Sequence, residues 1–166
     1  SAPGRFRLLT NWPAFVFLAL CAAAAQVFIV RTGRNHGFHT AIVFVVAGAL
    51  LLPPELVVLM AVVQHLAEWI KERYLWFIQT FNIFNFALAS LAAWAVADRI
   101  APTAFHGSDV RVALAGAAAA LAFVVVNHTL LAPMLRFGRG VRVSQSGLFS
   151  LESLAGDIVL AGLGVA

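Results

Sequence analysis

The stretch PELVVLMAVVQHLAEWIKERYLWFIQTFNIFNFALASLAAWAVAD, from Pro54 to Asp98, decides the fold of this 166-residue chain. It contains two apolar runs, which are separated by the short charged turn Lys71-Glu72-Arg73. The first run opens with proline, which the first turn of a helix tolerates, and each run approaches the length of about 20 residues that a membrane span requires. The stretch therefore predicts two membrane-spanning α-helices joined by a charged turn.

The composition of the whole chain extends this interpretation. The chain is 62% hydrophobic, its mean hydropathy is +0.93 and 11% of its residues are charged, whereas about a quarter of the residues are charged in a typical soluble domain. A soluble core of this size could not remove so much apolar surface from water. We therefore expect a multi-pass integral membrane protein, for which the lipid bilayer is the main partner.

Six apolar segments lie between breaks that carry charged residues, glycine or proline. They predict an all-α integral membrane protein, a polytopic bundle of about six transmembrane helices with five to seven allowed. The predicted spans are 12–30, 38–52, 54–70, 76–97, 112–134 and 147–166, all in a single membrane domain. The second span is short, so a re-entrant or tilted helix remains open for it. Because the first residue is Ser1, we expect a piece of a longer protein, with a further region after residue 166.

The basic residues indicate topology rather than a binding patch. The eleven Lys and Arg residues are scattered between the apolar runs, which argues against nucleic acid as a partner. If all six segments cross, seven of these residues lie on one side and four on the other, and the positive-inside rule favours the first side as cytoplasmic.

Motifs of soluble catalysis are absent from the sequence: it has no glycine-rich phosphate loop, no HExxH zinc helix and no GxSxG elbow. We assign no catalytic residue and no cofactor to this chain. Any enzymatic activity would belong to an attached domain.

Polar side chains inside the predicted spans point to the interior of the bundle, since each is costly in hydrocarbon. Counting about 1.5 Å per residue from the charged turns places His65, Asn82, His128 and Glu152 in one layer. Asn85, Asn127 and Asp157 come out slightly deeper. We hypothesise that these side chains form a pocket for a small ligand or ion. The candidate residues are Gln64, His65, Gln79, Asn82, Asn85, Asn127, His128, Glu152 and Asp157.

Simpler roles remain open for several of them. The asparagines can form hydrogen bonds between helices, each worth about 0.6 to 2 kcal/mol. His65 and His128 are weak candidates for metal or haem ligands, because they share a depth but lack a paired-histidine motif. Glu68 is expected to stay hydrated near an interface, whereas Asp157 must be protonated, paired or next to water.

The alanine-rich run 113–122 suits close helix packing in lipid. Its small residues Ala113 and Ala117, followed by Leu121, recur at four-residue spacing, with Gly116 and Ala120 beside them. This spacing predicts a contact face for a neighbouring helix.

A resemblance to a known family rests on three features: the run 54–98, the FN pairs at 81–82 and 84–85, and the VNHTLLAPML stretch at 126–135. Together they resemble the N-terminal membrane domain of bacterial, especially actinobacterial, signalling proteins. In those proteins the domain precedes a cytoplasmic HD or HD-GYP phosphohydrolase or a GGDEF diguanylate cyclase. The resemblance implies a sensory or ligand-binding module in the bacterial inner membrane that biases a cytoplasmic output domain. The HD or GGDEF residues of such a domain are not in this sequence.

Three functions remain open at this point. A sensory membrane module leads, with a small-molecule ligand as partner. The second is a small-solute transporter, or a substrate-binding subunit similar to those of energy-coupling-factor vitamin transporters, which also combine short helices with polar residues at mid-membrane depth. The third is a noncatalytic subunit, for which a second copy or another membrane protein is the partner.

Overall fold

The computed structural model describes residues 3–28, 30–31, 37–38, 40–101, 109–140 and 150–164. Two antiparallel strands of two residues each, β1 (Val30–Arg31) and β2 (Gly37–Phe38), lie between the first two helices. The rest of the regular structure is α-helical, so the predicted all-α class is confirmed apart from this short ladder. The helices are α1 (Pro3–Val27), α2 (Ala41–Leu51), α3 (Pro54–Glu72), α4 (Trp76–Ile100), α5 (Asp109–Arg139) and α6 (Leu151–Leu163).

Each helix lies at one of the predicted segments, but the bounds differ. α1 begins at Pro3 rather than at residue 12 and includes Pro13, and α5 extends beyond its predicted segment at both ends. The extensions carry polar and basic residues, which hydropathy assigns to loops although the helical hydrogen bonds continue through them. Hydropathy therefore locates the helices and misses their ends.

Prolines form the junction between α2 and α3, as the sequence predicts. At the end of α2 the N–H of Leu52 donates to the carbonyl oxygen of Gly48 at 2.8 Å. Pro53 has φ −66° and ψ 155°, and its carbonyl oxygen accepts the N–H groups of Leu56 and Val57 at 3.0 and 3.1 Å. Because proline fixes φ and has no N–H to donate, it ends one helix and fits the start of the next.

The charged turn between α3 and α4 closes with a left-handed residue. Arg73 has φ 52° and ψ 41°, and its N–H donates to the carbonyl oxygen of Trp69 at 2.9 Å. A left-handed residue at this place satisfies a carbonyl at the end of the helix and reverses the chain, although glycine is the usual choice. α4 then begins three residues later, at Trp76.

α2 is the central helix of the described bundle, since it packs against α1, α3, α4, α5 and α6. Its buried residues are all apolar: Ala41, Ile42, Val45, Val46, Gly48 and Ala49. Its 11 residues rise about 16 Å, roughly half of the hydrocarbon thickness of a bilayer. α2 is therefore too short to cross a membrane by itself.

α1 and α3 lie side by side and parallel. The Nζ atom of Lys71, near the end of α3, donates to the carbonyl oxygen of Val27 at the end of α1 at 2.6 Å. Since α2 and α4 each follow or precede α3 through a tight turn, both run in the opposite direction. The ends of α1 and α3 and the start of α4 therefore lie at the same end of the bundle.

Small residues line the contact between α4 and α5. Ala89, Ala93, Ala115 and Ala119 are fully buried, and the ring of Phe123 packs edge-on against that of Phe86 with centroids 5.4 Å apart. Small residues are thus buried on α5, but the predicted set is only partly right. The exposed positions are Ala113, Ala117 and Leu121, while Gly116 and Ala120 are buried. In a run with alanine on every face, the spacing of small residues does not single out one face.

Two helices have the length and hydropathy that a membrane span requires. They are Trp76–Ile100 and Val110–Gly138, with mean hydropathy 1.4 and 2.0 over their best windows. Asn11–Val27 and Ala41–Leu51 are apolar but shorter. Of the six predicted spans, α4 and α5 meet this criterion, and they favour a membrane protein.

We predict that Gly48→Ala destabilises the contact between α2 and α3. A Cβ at Gly48 would lie 2.6 Å from Cε of the fully buried Met60, and overpacking of this kind costs about 1 to 3 kcal/mol in the free energy of unfolding. In a Met60→Ala background the added methyl fits, so we expect no loss there. The measurement is equilibrium unfolding of the four variants in detergent.

The control is Gly162→Ala in α6, where nothing lies within 4 Å of the added Cβ. It should unfold with an unchanged or slightly raised free energy, because alanine favours helix. An equal loss for Gly48→Ala with and without Met60 would contradict the prediction.

Candidate functional site

Most of the polar side chains that the sequence singles out are buried and lie in two groups. We call the first the glutamine group: Gln26, Gln64, Glu68 and Gln79, on α1, α3 and α4. We call the second the histidine group: Asn85, Asn127, His128 and Asp157, on α4, α5 and α6. Sequence reasoning missed Gln26 and also Ser90, whose hydroxyl bonds the carbonyl of Phe86 within its own helix.

Glu68 is buried, contrary to the expectation that it stays hydrated. Its carboxylate is 5% exposed and accepts a hydrogen bond of 2.9 Å from Nε2 of Gln26, itself 3% exposed. The reason is the parallel packing of α1 against α3, which covers this face of α3. A glutamine near the end of an apolar run is the only sequence signal for such a partner, and it does not say which helix the side chain meets.

Gln64 is fully buried, and neither Oε1 nor Nε2 has a hydrogen-bond partner in the described part of the chain. The Oε1 atoms of Gln26 and Gln79 are also without a partner there. Nε2 of Gln79 donates to the backbone carbonyl of His65. A buried polar atom that lacks a partner costs about 1 to 3 kcal/mol, so the glutamine group holds acceptor oxygens that helix packing leaves unused.

Among the described residues, no basic side chain forms an ion pair with Glu68. Their ion pairs are Lys71 with Glu72, at 3.8 Å, and His128 with Asp157, at 3.1 Å. Lys71 follows Glu68 by three residues but donates to the carbonyl of Val27. A buried carboxylate with one amide donor and no ion pair has little to replace the hydration that it loses on burial.

The histidine group links three helices by direct side-chain contacts. Nδ2 of Asn85 on α4 donates to Oδ1 of Asn127 on α5 at 2.6 Å. Nε2 of His128 on α5 lies 3.1 Å from Oδ2 of Asp157 on α6. Of the three states expected for Asp157, the structure shows the paired one.

His65 lies on α3, next to Gln64 in the sequence, and its side chain contacts α4. Its imidazole packs against the ring of Phe86 with centroids 4.4 Å apart, and Phe86 contacts Phe123 in turn. His65 is 1% exposed. These aromatic contacts make His65 part of the packed interior on the α3 side of α4.

Two predicted residues are not brought into either group. Asn82 is half-buried and has no side-chain hydrogen bond to another described residue. Glu152 lies on α6, but its side chain is outside the part that the structure describes. As for the weak metal candidates, no three His, Cys, Asp or Glu side chains in the described part are placed to hold a metal ion.

The outer faces of the helices are apolar. Large side chains on them are 37% to 77% exposed: Val16, Phe17 and Leu20 on α1, Leu59, Leu66 and Ile70 on α3, Phe77, Phe84 and Leu88 on α4, and Leu114, Leu121 and Val125 on α5. Their spacing of three, four or seven residues places most of them along one face of each helix. The interior is mainly apolar as well, so it is the apolar outer faces that differ from the surface of a typical soluble protein.

No family model, no curated protein and no solved structure matches this chain. What the chain does must therefore follow from its own residues and their contacts.

We predict that the pair of His128 and Asp157 holds α6 on the bundle. Asp157→Ala removes the acidic partner from the buried imidazole, so α6 should open more often, and its backbone amides should exchange with solvent about tenfold faster, the effect of losing about 1.4 kcal/mol. The measurement is hydrogen exchange over residues 151–163 in detergent. Val159→Ala is the control, because Val159 is 64% exposed on the same helix. Unchanged exchange in Asp157→Ala would show that other contacts hold α6.

Proposed function

We propose that this chain is a multi-pass helical module of the bacterial inner membrane that binds a small polar ligand in its interior and passes the binding event to α6, which is a sensory function. The observation that carries the proposal is the histidine group, because it joins α4, α5 and α6 by polar contacts inside an apolar exterior. A ligand that competes for these polar atoms changes how α6 is held. The resemblance in the sequence adds the expectation of an attached cytoplasmic output domain.

The multi-pass arrangement is supported by the outer surface and by the helix directions. Apolar stripes on α1, α3, α4 and α5 suit contact with lipid, and consecutive helices alternate in direction where tight turns join them. At the α3–α4 turn, Trp69 and Trp76 are exposed, and Nε1 of Trp69 donates to the carbonyl of Tyr74 at 2.8 Å. Exposed Trp residues, with a half-buried Tyr between them and charged residues beside them, are typical of a membrane–water interface.

The position of α2 also suits a membrane interior. From its junction with α3, α2 reaches back about 16 Å, which places its first residue, Ala41, at the level of His65. Irregular backbone at such a depth is tolerated where protein surrounds it, and five helices pack around α2. We propose that α2 enters the bundle without crossing it, the re-entrant form of the second predicted span.

Transport of a small solute is the second candidate, and the length of α2 favours it. In several transporters, substrate and ion sites lie near the bilayer midplane where a discontinuous helix begins or ends. α2 begins near the level of the glutamine group and packs against every other helix. Uptake of solute into vesicles that contain the purified protein would favour transport over sensing.

We predict that the α3–α4 turn and the end of α4 lie on opposite sides of the membrane. Single cysteines at Glu72 and at Asp98, both near helix ends, are placed in a Cys21→Ala background and labelled with an impermeant maleimide. In intact spheroplasts one should react, and the other only after permeabilisation. Val125→Cys, on the apolar outer face of α5, is the control and should resist labelling throughout. Reaction of both turn cysteines from one side would contradict the crossing of α4.

We predict that a small polar compound that stabilises the protein also changes α6. Amino acids, sugars, nucleotides and carboxylic acids are screened by thermal shift, and hydrogen exchange of residues 151–163 is measured with the best compound. Asn127→Leu should weaken binding at least tenfold, because it removes the acceptor of Asn85. Thr129→Val is the matched control, since Thr129 is exposed and bonds only the carbonyl of Val125 in its own helix. Equal binding by both variants would contradict a ligand site in the histidine group.

A further inference from the structure

We propose that the glutamine group is a binding site for an alkali cation of about the size of sodium, held by the carboxylate of Glu68 and the side-chain amide oxygens of Gln26, Gln64 and Gln79. The inference deepens the proposed function and rests on it in one respect. In a membrane, bulk water cannot reach and solvate the buried carboxylate through the outer surface of the bundle.

The first step is charge. Glu68 is 5% exposed, and its hydrogen-bond partner is one amide, Nε2 of Gln26 at 2.9 Å. The nearest basic side chain along the helix, Lys71, is engaged by the carbonyl of Val27 at 2.6 Å and by Glu72 at 3.8 Å. A carboxylate in this setting requires a compensating positive charge or a proton. A cation satisfies the requirement without changing any described contact.

The second step is the set of unused oxygens around that charge. Gln64 lies one helical turn before Glu68 on the same face of α3, is 0% exposed, and has no partner for its amide in the described residues. Gln26 directs its nitrogen to Glu68 and leaves Oε1 unused, and Gln79 leaves Oε1 unused beside the backbone of His65. Three helices therefore contribute three buried, unused amide oxygens and one carboxylate, all within about 12 Å of the same end of the bundle along the helix axes.

The third step is the chemical class of the guest. All the unused acceptors are oxygens, which are the ligands that hard cations take, whereas imidazole and thiolate select transition metals. One carboxylate supplies a single negative charge, which one monovalent cation neutralises. Divalent cations are more often held by several carboxylates, and the described residues place no three acidic or metal-ligating side chains together.

The fourth step is access. Gln26 is the next-to-last residue of α1, and Glu68 lies one turn from the end of α3. Lys71 and Glu72 beside them are exposed. Gln26 and Glu68 thus lie within about 6 Å of the bundle end along the helix axis, and Gln64 lies about 12 Å from it. A cation therefore reaches the site from the aqueous side of the α3–α4 turn rather than through the apolar centre.

The test uses the purified full chain in detergent at constant ionic strength. Choline chloride is replaced stepwise by sodium, lithium or potassium chloride, and the readout is the midpoint of thermal unfolding, followed by tryptophan fluorescence. We expect a saturable rise of the midpoint with at least one of the three alkali cations. In Glu68→Gln the rise should disappear, because the charge is removed while the shape of the side chain is kept.

Gln64→Leu should preserve or raise stability in choline chloride and weaken cation binding in the alkali salt. In choline it should be at least as stable as the original protein, because it removes a buried amide that has no partner. In the alkali salt its apparent affinity should be at least tenfold weaker. A variant that merely damages the fold would lose stability in both salts.

Glu55→Gln and Asp98→Asn are the matched controls, since both carboxylates are exposed on the same two helices. They should keep the full response. A midpoint that is the same in choline and in all three alkali salts overturns the proposal, as expected if Glu68 is protonated or the group holds water. A response that survives Glu68→Gln overturns it as well.

Failure of this site is distinguishable from failure of the proposed function. The cysteine-labelling pattern depends on how the helices cross and not on any cation. A chain that labels on opposite sides and shows no alkali response loses only the cation site, whereas a chain that labels from one side loses the membrane arrangement.

Discussion

Most of the buried amide, imidazole and carboxyl side chains in this bundle have their hydrogen-bond partners on another helix, and the rest of the structure depends on these contacts. Glu68 accepts a hydrogen bond from Gln26, joining α3 to α1. Gln79 joins α4 to the backbone of α3. The pair of asparagines and the pair of His128 and Asp157 continue the series from α4 to α5 and from α5 to α6. Five of the six helices are thus tied in a row by polar contacts, while the apolar α2 fills the space that they enclose.

The central helix α2 is held by a different kind of contact. The sequence of α2, AIVFVVAGALL, has no polar side chain, so van der Waals packing has to hold it. Gly48 supplies the close approach, because Met60 of α3 occupies the volume where a Cβ would be. This close contact sets how α2 is aligned lengthwise against α3, and the proline junction sets the angle between the two helices. The five helices around α2 therefore present an inner surface of defined shape to it.

Much of this architecture follows from local features of the sequence. Hydropathy locates six helices, because each apolar run is bounded by charge, glycine or proline. The pair Pro53-Pro54 predicts a junction between two helices, since proline disrupts the interior of a helix. The burial of Gln64 on α3 is also predictable, since an amide inside an apolar run is costly in hydrocarbon. These features depend on one helix at a time.

The features that the sequence does not predict are those that depend on which two helices contact each other. Nothing near Gln26 says that α1 lies parallel to α3 and covers Glu68, so hydration was the natural expectation for a carboxylate near a helix end. The same limit explains α5, where alanine occupies several faces and the neighbour decides that Ala115 and Ala119 are buried while Ala113 and Ala117 are exposed. It also explains Asn82, which shares the spacing of Gln79 and Asn85 but lies at the edge of the α4 contact face.

The two polar groups differ in a way that suggests a division of roles. In the histidine group the side chains contact one another across helices and leave one asparagine oxygen unused, so its main effect is to connect α6 to the bundle. In the glutamine group the amide oxygens of three glutamines are unused and Glu68 has no ion pair among the described residues, which is why we propose a cation for this group. Both groups include a residue of α4, Gln79 and Asn85, which are separated by about 9 Å along the helix axis. Because a helix moves as a rigid element over that distance, a charge taken up beside Gln79 and a change in the hold on α6 can be linked through α4 without any other moving part.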